Sequence, residues 1–506
     1  MPQRISCMSE QREQAVSPAV RNRVDNYVGG EWTTPTTETS QPVVDPATGD
    51  ELATVEYSTA ETVDEAVRTA DEVFEEWRQT PVVDRVQYLF DLKAELENRL
   101  DEIATALSRE HGKTIAEARG EIQRGIENVE VACGMPNMMR EGSGNVEDVA
   151  PGMDEYAVRQ PLGVFTAITP FNFPAMIPLW FLPYAVASGN TFILKPSEKV
   201  PLSSQLIFEA VDAVGFPDGV VNLVNGGANT VNALLEHDDI EGVSFVGSSP
   251  VAKHVYETAA EHGKRVQAQG GAKNYAVVTE HAAVDDAVPN ITGSVYGNAG
   301  QRCLANDVVV GVGDVYDELR EQLIEAAENL TVGAGVDEDT DVGPLITGDS
   351  RERVIDLIDN ALEEGAELVL DGRDFEHSNA ELDGHFLGPT LLKGVTTDME
   401  IAQEEIFGPV LCLADAGDLD EAIEMVNSTE YGNASSIYTE SGSEARQYKY
   451  EVDAGNIGVN VGVCAPMGFF HFGGRKASFF GDLHAQGEDA VNFYTEKTVQ
   501  IERWYS

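Results

Sequence analysis

Hydrophobic residues recur with a helical period near the start of the chain. Between Glu61 and Gln79 the apolar residues fall on one face of a helix, which predicts an amphipathic helix. A similar period from about Asp84 to Arg109 predicts a second helix.

After Pro161 the pattern changes to short apolar runs that predict buried strands. These runs are "GVFTAITP", "NTFILKPS", "GVVNLVNG", "GVSFVGS" and "YAVVTE", with helical patterns at Leu202 to Val214 and Val251 to His262. Further helices are predicted at Tyr316 to Asn329, Ser350 to Gly365 and Leu419 to Ser428, and strands in "SSIYT" and "GNIGVNV". Alternating strands and helices favour an α/β fold with a parallel, doubly wound sheet.

Two segments leave alternatives open. Val164 to Leu194 contains no charged residue and is long enough to span a bilayer, but four prolines interrupt it. A buried strand, a loop and a core helix are therefore predicted there. The C-terminal run "NFYTEKTVQIERWY" predicts a strand that pairs with another subunit or docks as a tail.

The composition bounds the number of domains and the partners. A chain of 506 residues predicts two or three domains. It has 87 acidic and 33 basic residues, a net charge of -54, so neither nucleic acid nor an anionic membrane is expected as a partner. The scattered acidic residues are typical of a halophilic enzyme that stays soluble at high salt, and the alternative is an acidic mesophilic protein.

The five cysteines suggest a reducing, cytoplasmic location. Their number is odd and none has CxxC spacing, so neither disulfides nor a metal site is predicted. The first residues lack the apolar stretch of a signal peptide, and residues 1–24 are predicted to be a disordered tail.

One cysteine stands in an unusual context. Cys303 lies in "YGNAGQRCLAN", among small and polar residues rather than in an apolar run. A thiolate reacts readily with aldehydes and thioesters, so Cys303 is a candidate nucleophile, with an inert cysteine as the alternative.

Other polar residues follow predicted strands. Asn172 in "TPFNFPAMIP" is a candidate oxyanion donor or an ordinary loop residue. Lys195 and Glu198 in "ILKPSE" stand where doubly wound sheets bind ligands and could hold ribose hydroxyls, or they form a solvated turn. Ser248 precedes a predicted helix whose free N–H groups would attract phosphate.

Together these segments resemble the aldehyde dehydrogenase superfamily from about Tyr27 to the C-terminus. The motifs are "PFNFP", "LKPSE", "FVGS", "GQRC" and "EEIFGPV". The resemblance implies two doubly wound Rossmann-like domains plus a small β oligomerisation element, and a homodimer or homotetramer. It implies an NAD-binding domain at residues 25–141 and 161–271, a catalytic domain at 272–468, and an oligomerisation element at 142–160 and 482–502.

The resemblance also implies a role for each site residue. Cys303 would be the nucleophile, and Asn172 with the Cys303 N–H would form the oxyanion hole. The implied NAD contacts are Thr169, Phe171, Lys195, Glu198, Ser248, Glu405 and Phe407. A carboxylate at Glu198 favours NAD because it repels a 2′-phosphate.

One departure from the family pattern changes the expected chemistry. Hydrolytic members carry a glutamate 34 residues before the nucleophile, and here position 269, which is 34 residues before position 303, holds glutamine. An amide does not accept a proton at neutral pH, so water attack on a thioester is expected to be slow. A thiol ionises far more readily than water and needs less help.

This pattern resembles the CoA-acylating methylmalonate-semialdehyde dehydrogenase branch. The branch implies oxidation of methylmalonate or malonate semialdehyde, loss of CO₂ and acyl transfer to CoA as co-substrate. It implies that Arg124 and Arg302 bind the substrate carboxylate; the alternatives are an ion pair of Arg124 with Glu121 or Glu127, and a structural Arg302. Two other functions stay open: a hydrolytic NAD(P)-dependent aldehyde dehydrogenase, and an inactive binding protein on this fold.

Overall fold

The computed structural model describes residues 23–35, 37, 39–140, 144–373, 375 and 382–505. Most of the predicted tail, residues 1–22, lies outside the described residues. Arg23–Val24, however, forms a strand parallel to Glu51–Glu56, which also pairs with Ser40–Val44. Because the Val24 side chain is buried in this small sheet, the prediction of disorder is wrong at its last two positions.

The N-terminal helices differ from the predicted pair in one respect. The first spans Ala60–Gln79 and is capped by the Thr59 hydroxyl, which accepts a hydrogen bond from the Thr62 N–H. The predicted helix from Asp84 to Arg109 is two helices, Val82–Asn98 and Leu100–His111. Arg99 separates them with a non-helical backbone (φ -98°, ψ 6°), and its guanidinium is held by Glu95 and Glu209.

The first large sheet carries most of the strands predicted after Pro161. Its order is Phe479–Gly481, Arg265–Gln269, Ile240–Val246, Val164–Ile168, Thr191–Lys195, Val221–Leu223, Asn26–Val28 and Glu31–Thr33. The middle five strands are parallel and the outer three pair antiparallel. The carboxyl ends of the five parallel strands therefore lie along one edge of the sheet, where ligands of such folds bind.

The second large sheet has seven strands. Its order is Glu367–Leu370, Thr390–Lys393, Val410–Ala416, Val308–Val312, Tyr275–Val278, Ala434–Tyr438 and Asn456–Val459, and all pairs but the first are parallel. The predicted doubly wound, parallel α/β character is therefore found in both sheets.

The remaining helices pack on the two sheets or on neighbouring helices. They span Ile115–Ala132, Met135–Met138, Pro178–Ser188, Leu202–Val214, Ala228–Glu236, Ser249–Glu261, Val284–Tyr296, Val315–Glu328, Gly348–Glu364, Glu400–Gln403, Leu419–Asn427, Gly442–Glu451 and Gly487–Phe493. Every side chain of Pro178–Ser188 is buried, so the charge-free segment is a strand, a loop and a core helix as predicted. No helix among the described residues combines the length and apolar character needed to cross a bilayer.

A three-stranded antiparallel arm completes the fold. Thr495–Arg503 pairs along its whole length with Met153–Pro161, which also pairs with Asn145–Ala150. The C-terminal strand thus docks on its own chain. The predicted element at 482–502 is divided, because Gly487–Phe493 packs into the core of the first sheet while Thr495–Arg503 joins the arm. The division into domains stays a prediction.

Candidate active site

Cys303 follows a tight turn that interrupts the end of a buried helix. Asn298, Ala299 and Gly300 have φ of 56°, 51° and 72°, in the left-handed region. A Cβ atom on Gly300 would lie 2.0 Å from the Gly408 carbonyl oxygen, so only glycine fits this close approach. The Cys303 carbonyl accepts hydrogen bonds from the side-chain amides of Asn274 (2.9 Å) and Asn433 (2.7 Å). The nucleophile candidate is therefore held by its backbone.

Cys303 lies between two cavities and contributes to the wall of each. The large cavity measures about 660 Å³ and the small cavity about 330 Å³. Burial and the negative charge of Glu405 raise the pKa of the Cys303 thiol to about 12, although Arg302 favours the thiolate. The thiol is consequently protonated at neutral pH in the free protein, and its proton must leave before attack.

Asn172 lies on the loop after strand Val164–Ile168 and faces the large cavity beside Cys303. The residue is buried, and its side-chain N–H donates to the Gln301 carbonyl at 3.1 Å. This bond fixes the amide relative to the cysteine loop. A second N–H of the same group is available to an oxyanion without reorganisation.

The structure brings all the candidate NAD contacts to the large cavity. Its wall includes Thr169, Phe171, Lys195, Glu198, Ser248, Glu405 and Phe407 together with Asn172 and Cys303. The Thr169 hydroxyl is buried and has no hydrogen-bond partner among the described residues. An unpartnered hydroxyl in a cavity wall fits a polar ligand there.

Lys195 and Glu198 form an ion pair at 3.2 Å at the end of strand Thr191–Lys195. Burial lowers the pKa of Lys195 despite the attraction of Glu198. Burial also opposes the charge of Glu198, but Lys195, a backbone N–H and Lys199 together outweigh it and lower the pKa of this carboxyl. The ammonium and carboxylate groups of this pair can both form hydrogen bonds with hydroxyl groups.

Ser248 begins the helix Ser249–Glu261 beside the same cavity. Its neighbour Ser249 uses its hydroxyl to accept from the Gly271 N–H and donate to the Ala477 carbonyl, which ties the start of the helix to two other segments. The sequence analysis did not single out Ser249. The N–H groups of the first helical turn remain suited to a phosphate.

Glu405 and Phe407 also line the large cavity. Burial and the charge of Asp307 raise the pKa of Glu405 to about 8. Phe407 has a left-handed backbone (φ 56°), and its ring meets Phe171 edge-on at 5.8 Å. Arg353 holds this turn by donating to the Glu405 carbonyl at 3.2 Å and to the Ile406 carbonyl.

Arg124 and Arg302 both contribute to the small cavity, and both are already paired. Arg124 contacts Glu127 at 3.0 Å, one of its predicted alternatives. Arg302 contacts Glu117 at 2.7 Å, and the same carboxylate accepts from the Asn298 N–H at 2.6 Å. Arg302 therefore supports the cysteine loop, yet its buried Nε has no partner among the described residues.

A buried ion pair near Asn172 was missed by sequence reasoning. Lys113 contacts Glu121 at 2.5 Å, and both side chains are 1% exposed. Lys113 also donates to the Asn172 carbonyl at 2.7 Å, while Glu121 accepts from the Ala175 and Met176 N–H groups. In the sequence, only the spacing of eight residues between Lys113 and Glu121 could have indicated this pair.

Gln269 ends strand Arg265–Gln269, next to Gly270 in the wall of the large cavity. The residue is buried, and neither polar atom of its side chain has a hydrogen-bond partner among the described residues. The position of the expected hydrolytic glutamate is thus occupied by an amide that the surrounding protein does not use.

Comparison with known proteins identifies the class. A model of the aldehyde dehydrogenase family matches residues 32–499, and the chain belongs to this family of oxidoreductases. It is 46% identical over 482 residues to malonate-semialdehyde dehydrogenase 1 of Oceanobacillus iheyensis, covering 95% of this chain and 98% of that protein. It is 48% identical to malonate-semialdehyde dehydrogenase 2 of Geobacillus thermodenitrificans, with 94% and 98% covered.

Solved structures of semialdehyde dehydrogenases have the same fold as this chain. The methylmalonate-semialdehyde dehydrogenase of Oceanimonas doudoroffii superposes with a TM-score of 0.94 at 42% identity, covering 96% of this chain and 99% of that one. A Sinorhizobium meliloti structure complexed with NAD has the same TM-score at 40% identity, with 96% and 99% covered. The expected aldehyde dehydrogenase fold and the resemblance to the semialdehyde branch are confirmed.

Proposed function

We propose that the protein oxidises malonate semialdehyde and methylmalonate semialdehyde with NAD, releases CO₂ and transfers the acyl group to CoA. The products would be acetyl-CoA and propionyl-CoA. The placement of Cys303 between a large and a small cavity carries this proposal, because the nucleophile can then meet a cofactor and a small aldehyde from two sides. The names of the similar proteins support the substrate class.

The residues of the large cavity suit NAD. The Lys195–Glu198 pair would bind the adenosine ribose, the helix start at Ser248 the pyrophosphate, and Glu405 the nicotinamide ribose. Thr169, Phe171 and Phe407 would complete the walls. When bound there, NAD would accept a hydride.

Cys303 would act as the nucleophile and Asn172 as a donor of the oxyanion hole. After the thiol has given up its proton to solvent, the Cys303 sulfur attacks the aldehyde carbon. The C–S bond forms as the carbonyl π bond breaks, which places negative charge on the aldehyde oxygen. The Asn172 amide and the Cys303 N–H would stabilise that charge. Loss of hydride leaves a thioester on Cys303. Breaking the bond to the β-carboxylate then releases CO₂ and leaves an enolate of the thioester, and a proton from solvent on its α-carbon gives the acetyl or propionyl group.

The environment of Gln269 favours release by a thiol. Gln269 offers no base for water, whereas the CoA thiol ionises more readily. The CoA sulfur would attack the thioester carbon, and the Cys303 sulfur would depart and recover its proton. The acyl group thereby leaves as a CoA thioester.

The test is NADH formation from malonate semialdehyde in concentrated KCl, with and without CoA. Without CoA we expect a burst near one equivalent of NADH per active site, and with CoA fast turnover and acetyl-CoA. Steady turnover without CoA would point to a hydrolytic aldehyde dehydrogenase, and absence of any burst to a binding protein.

We also propose a cytoplasmic, halophilic dimer or tetramer. The net charge of -54 supports function at high salt. The arm carries exposed apolar side chains at Val146, Val499, Ile501 and Trp504, which support a role in oligomerisation. The domain ranges given above, with residues 25–141 and 161–271 binding NAD and 272–468 supplying the nucleophile, belong to the same proposal.

A further inference from the structure

Gln486 has a backbone conformation that is nearly restricted to glycine. Its φ of 70° and ψ of 170° place a Cβ-bearing residue in a region where side chains clash with the backbone. The residue immediately before the helix Gly487–Phe493 is therefore strained. Such strain persists where the surrounding structure enforces it, and it concentrates at ligand sites.

The surroundings of Gln486 fix this conformation. The Gln486 carbonyl accepts from the Ala490 N–H at 3.1 Å, and the next residue, Gly487, donates to the Gly468 carbonyl at 3.1 Å. The Tyr184 hydroxyl donates to the same carbonyl at 2.8 Å. Two segments far apart in the chain thus hold Gln486 in place.

The side chain of Gln486 has a second unusual property. Gln486 lines the small cavity together with Cys303, and the residue is only 2% exposed. Its Oε1 is buried without a hydrogen-bond partner among the described residues. A buried amide without a partner costs free energy, as does the backbone strain, so the two together point to a ligand in the cavity.

The charged side chains of the small cavity are already paired with one another, whereas the amide of Gln486 is a neutral group that can donate a hydrogen bond. Its three cations are each paired with a carboxylate: Lys113 with Glu121, Arg124 with Glu127 and Arg302 with Glu117. The cavity wall is therefore balanced in charge, and an incoming carboxylate must share each cation with a resident one. An amide N–H has no competing anion at Gln486.

We propose that Gln486 is a specificity-determining residue whose side-chain amide donates a hydrogen bond to the carboxylate of the semialdehyde substrate. The inference rests on the proposed function. Because Oε1 is the fully buried end of the amide, the N–H₂ group is the end left to face the cavity and donate. Arg124 and Arg302 would supply charge, and Gln486 would distinguish a carboxylate from a methyl group.

The test compares malonate semialdehyde with propionaldehyde at saturating NAD and CoA. The two aldehydes have the same chain length and differ in carboxylate versus methyl. Gln486→Gly removes the amide and relieves the backbone, and Gln486→Glu keeps the side-chain length but replaces the donor with a negative charge. Asp148→Gly is the control, because Asp148 has a φ of 52° in the exposed arm, away from the cavity.

We expect Gln486→Gly to lower kcat/KM for malonate semialdehyde about tenfold, the effect of one hydrogen bond to a charged group. Its kcat/KM for propionaldehyde should stay within about twofold, and its melting temperature should rise. Gln486→Glu should lower kcat/KM for the semialdehyde further. Asp148→Gly should raise the melting temperature without changing the selectivity.

Two results would be distinguishable failures. If wild-type protein prefers malonate semialdehyde and Gln486→Gly keeps that preference, the role of Gln486 is wrong while the proposed function stands. If wild-type protein shows no preference for the carboxylated aldehyde, the proposed function itself is wrong, and the inference falls with it.

Discussion

The side-chain ammonium of Lys113 donates a hydrogen bond to the main-chain carbonyl of Asn172 at 2.7 Å. The ammonium is also paired with Glu121 and lies 4.4 Å from the centre of the Phe173 ring. Glu121 holds the next part of the same loop through the N–H groups of Ala175 and Met176. One buried ion pair therefore positions the loop that carries the proposed oxyanion donor.

Replacing Lys113 should damage both stability and rate. Lys113→Met leaves Glu121 buried without its cation, which typically costs about 3–5 kcal/mol, and it frees the Asn172 carbonyl. We expect a lower free energy of unfolding in urea and a slower NADH burst. The double variant Lys113→Met, Glu121→Met should recover part of the stability but not the burst rate. An unchanged burst rate in the single variant would contradict the positioning role.

The helices and strands were predictable where local periodicity decides them. Leu202–Val214 forms with the predicted bounds because its apolar face, helix length and flanking residues agree. The break at Arg99 was not predictable, since apolar spacing continues through it and the contact with Glu209 is 110 residues away in the chain. Tertiary contacts, rather than local propensity, end that helix.

The site likewise contains some residues that the sequence could indicate and others that only the packed structure reveals. Cys303, Asn172 and Lys195 stand in short motifs, so the sequence indicated them. Lys113 and Gln486 carry no such signal, because a lysine in a polar stretch and a glutamine before a glycine look like surface residues. Their burial arises only when distant segments pack around the small cavity.

Neutralising Glu198 should relax the preference for NAD over NADP. The Glu198 carboxylate pairs with Lys195 at 3.2 Å and would repel a 2′-phosphate. Glu198→Gln should lower the KM for NADP about tenfold, or about 1.4 kcal/mol, because Lys195 then faces the phosphate alone. Glu198→Asp, which keeps the charge, is the control. Equal KM values for NADP in both variants would show that charge at position 198 does not set the preference.

The raised pKa of Glu405, about 8, predicts pH-dependent binding of NAD. Below pH 8 the carboxyl is protonated in the free protein, and only the ionised form accepts two ribose hydroxyl hydrogen bonds. Affinity should rise about tenfold per pH unit up to pH 8 and then level off. Calorimetry at pH 7 should show proton release on binding. Glu405→Gln should remove both effects, while Glu404→Gln, which alters the neighbouring carboxylate, should retain them.

Restoring a carboxylate at position 269 should create a hydrolytic activity. The Gln269 side chain is buried and its amide has no partner among the described residues, so Gln269→Glu is accommodated without losing a hydrogen bond. Burial should raise the pKa of the new carboxyl toward neutrality, which suits a general base for water. We expect steady NADH production without CoA, beyond one equivalent per site, with a rate that increases with pH as the carboxyl ionises.

Gln269→Leu is the matched control for that variant, because it has a similar size and no base. It should show the same single burst as the wild-type protein in the absence of CoA. If Gln269→Glu also stops after one equivalent, position 269 does not face the thioester. Dependence on CoA would then arise from some other feature of the site than the missing carboxylate.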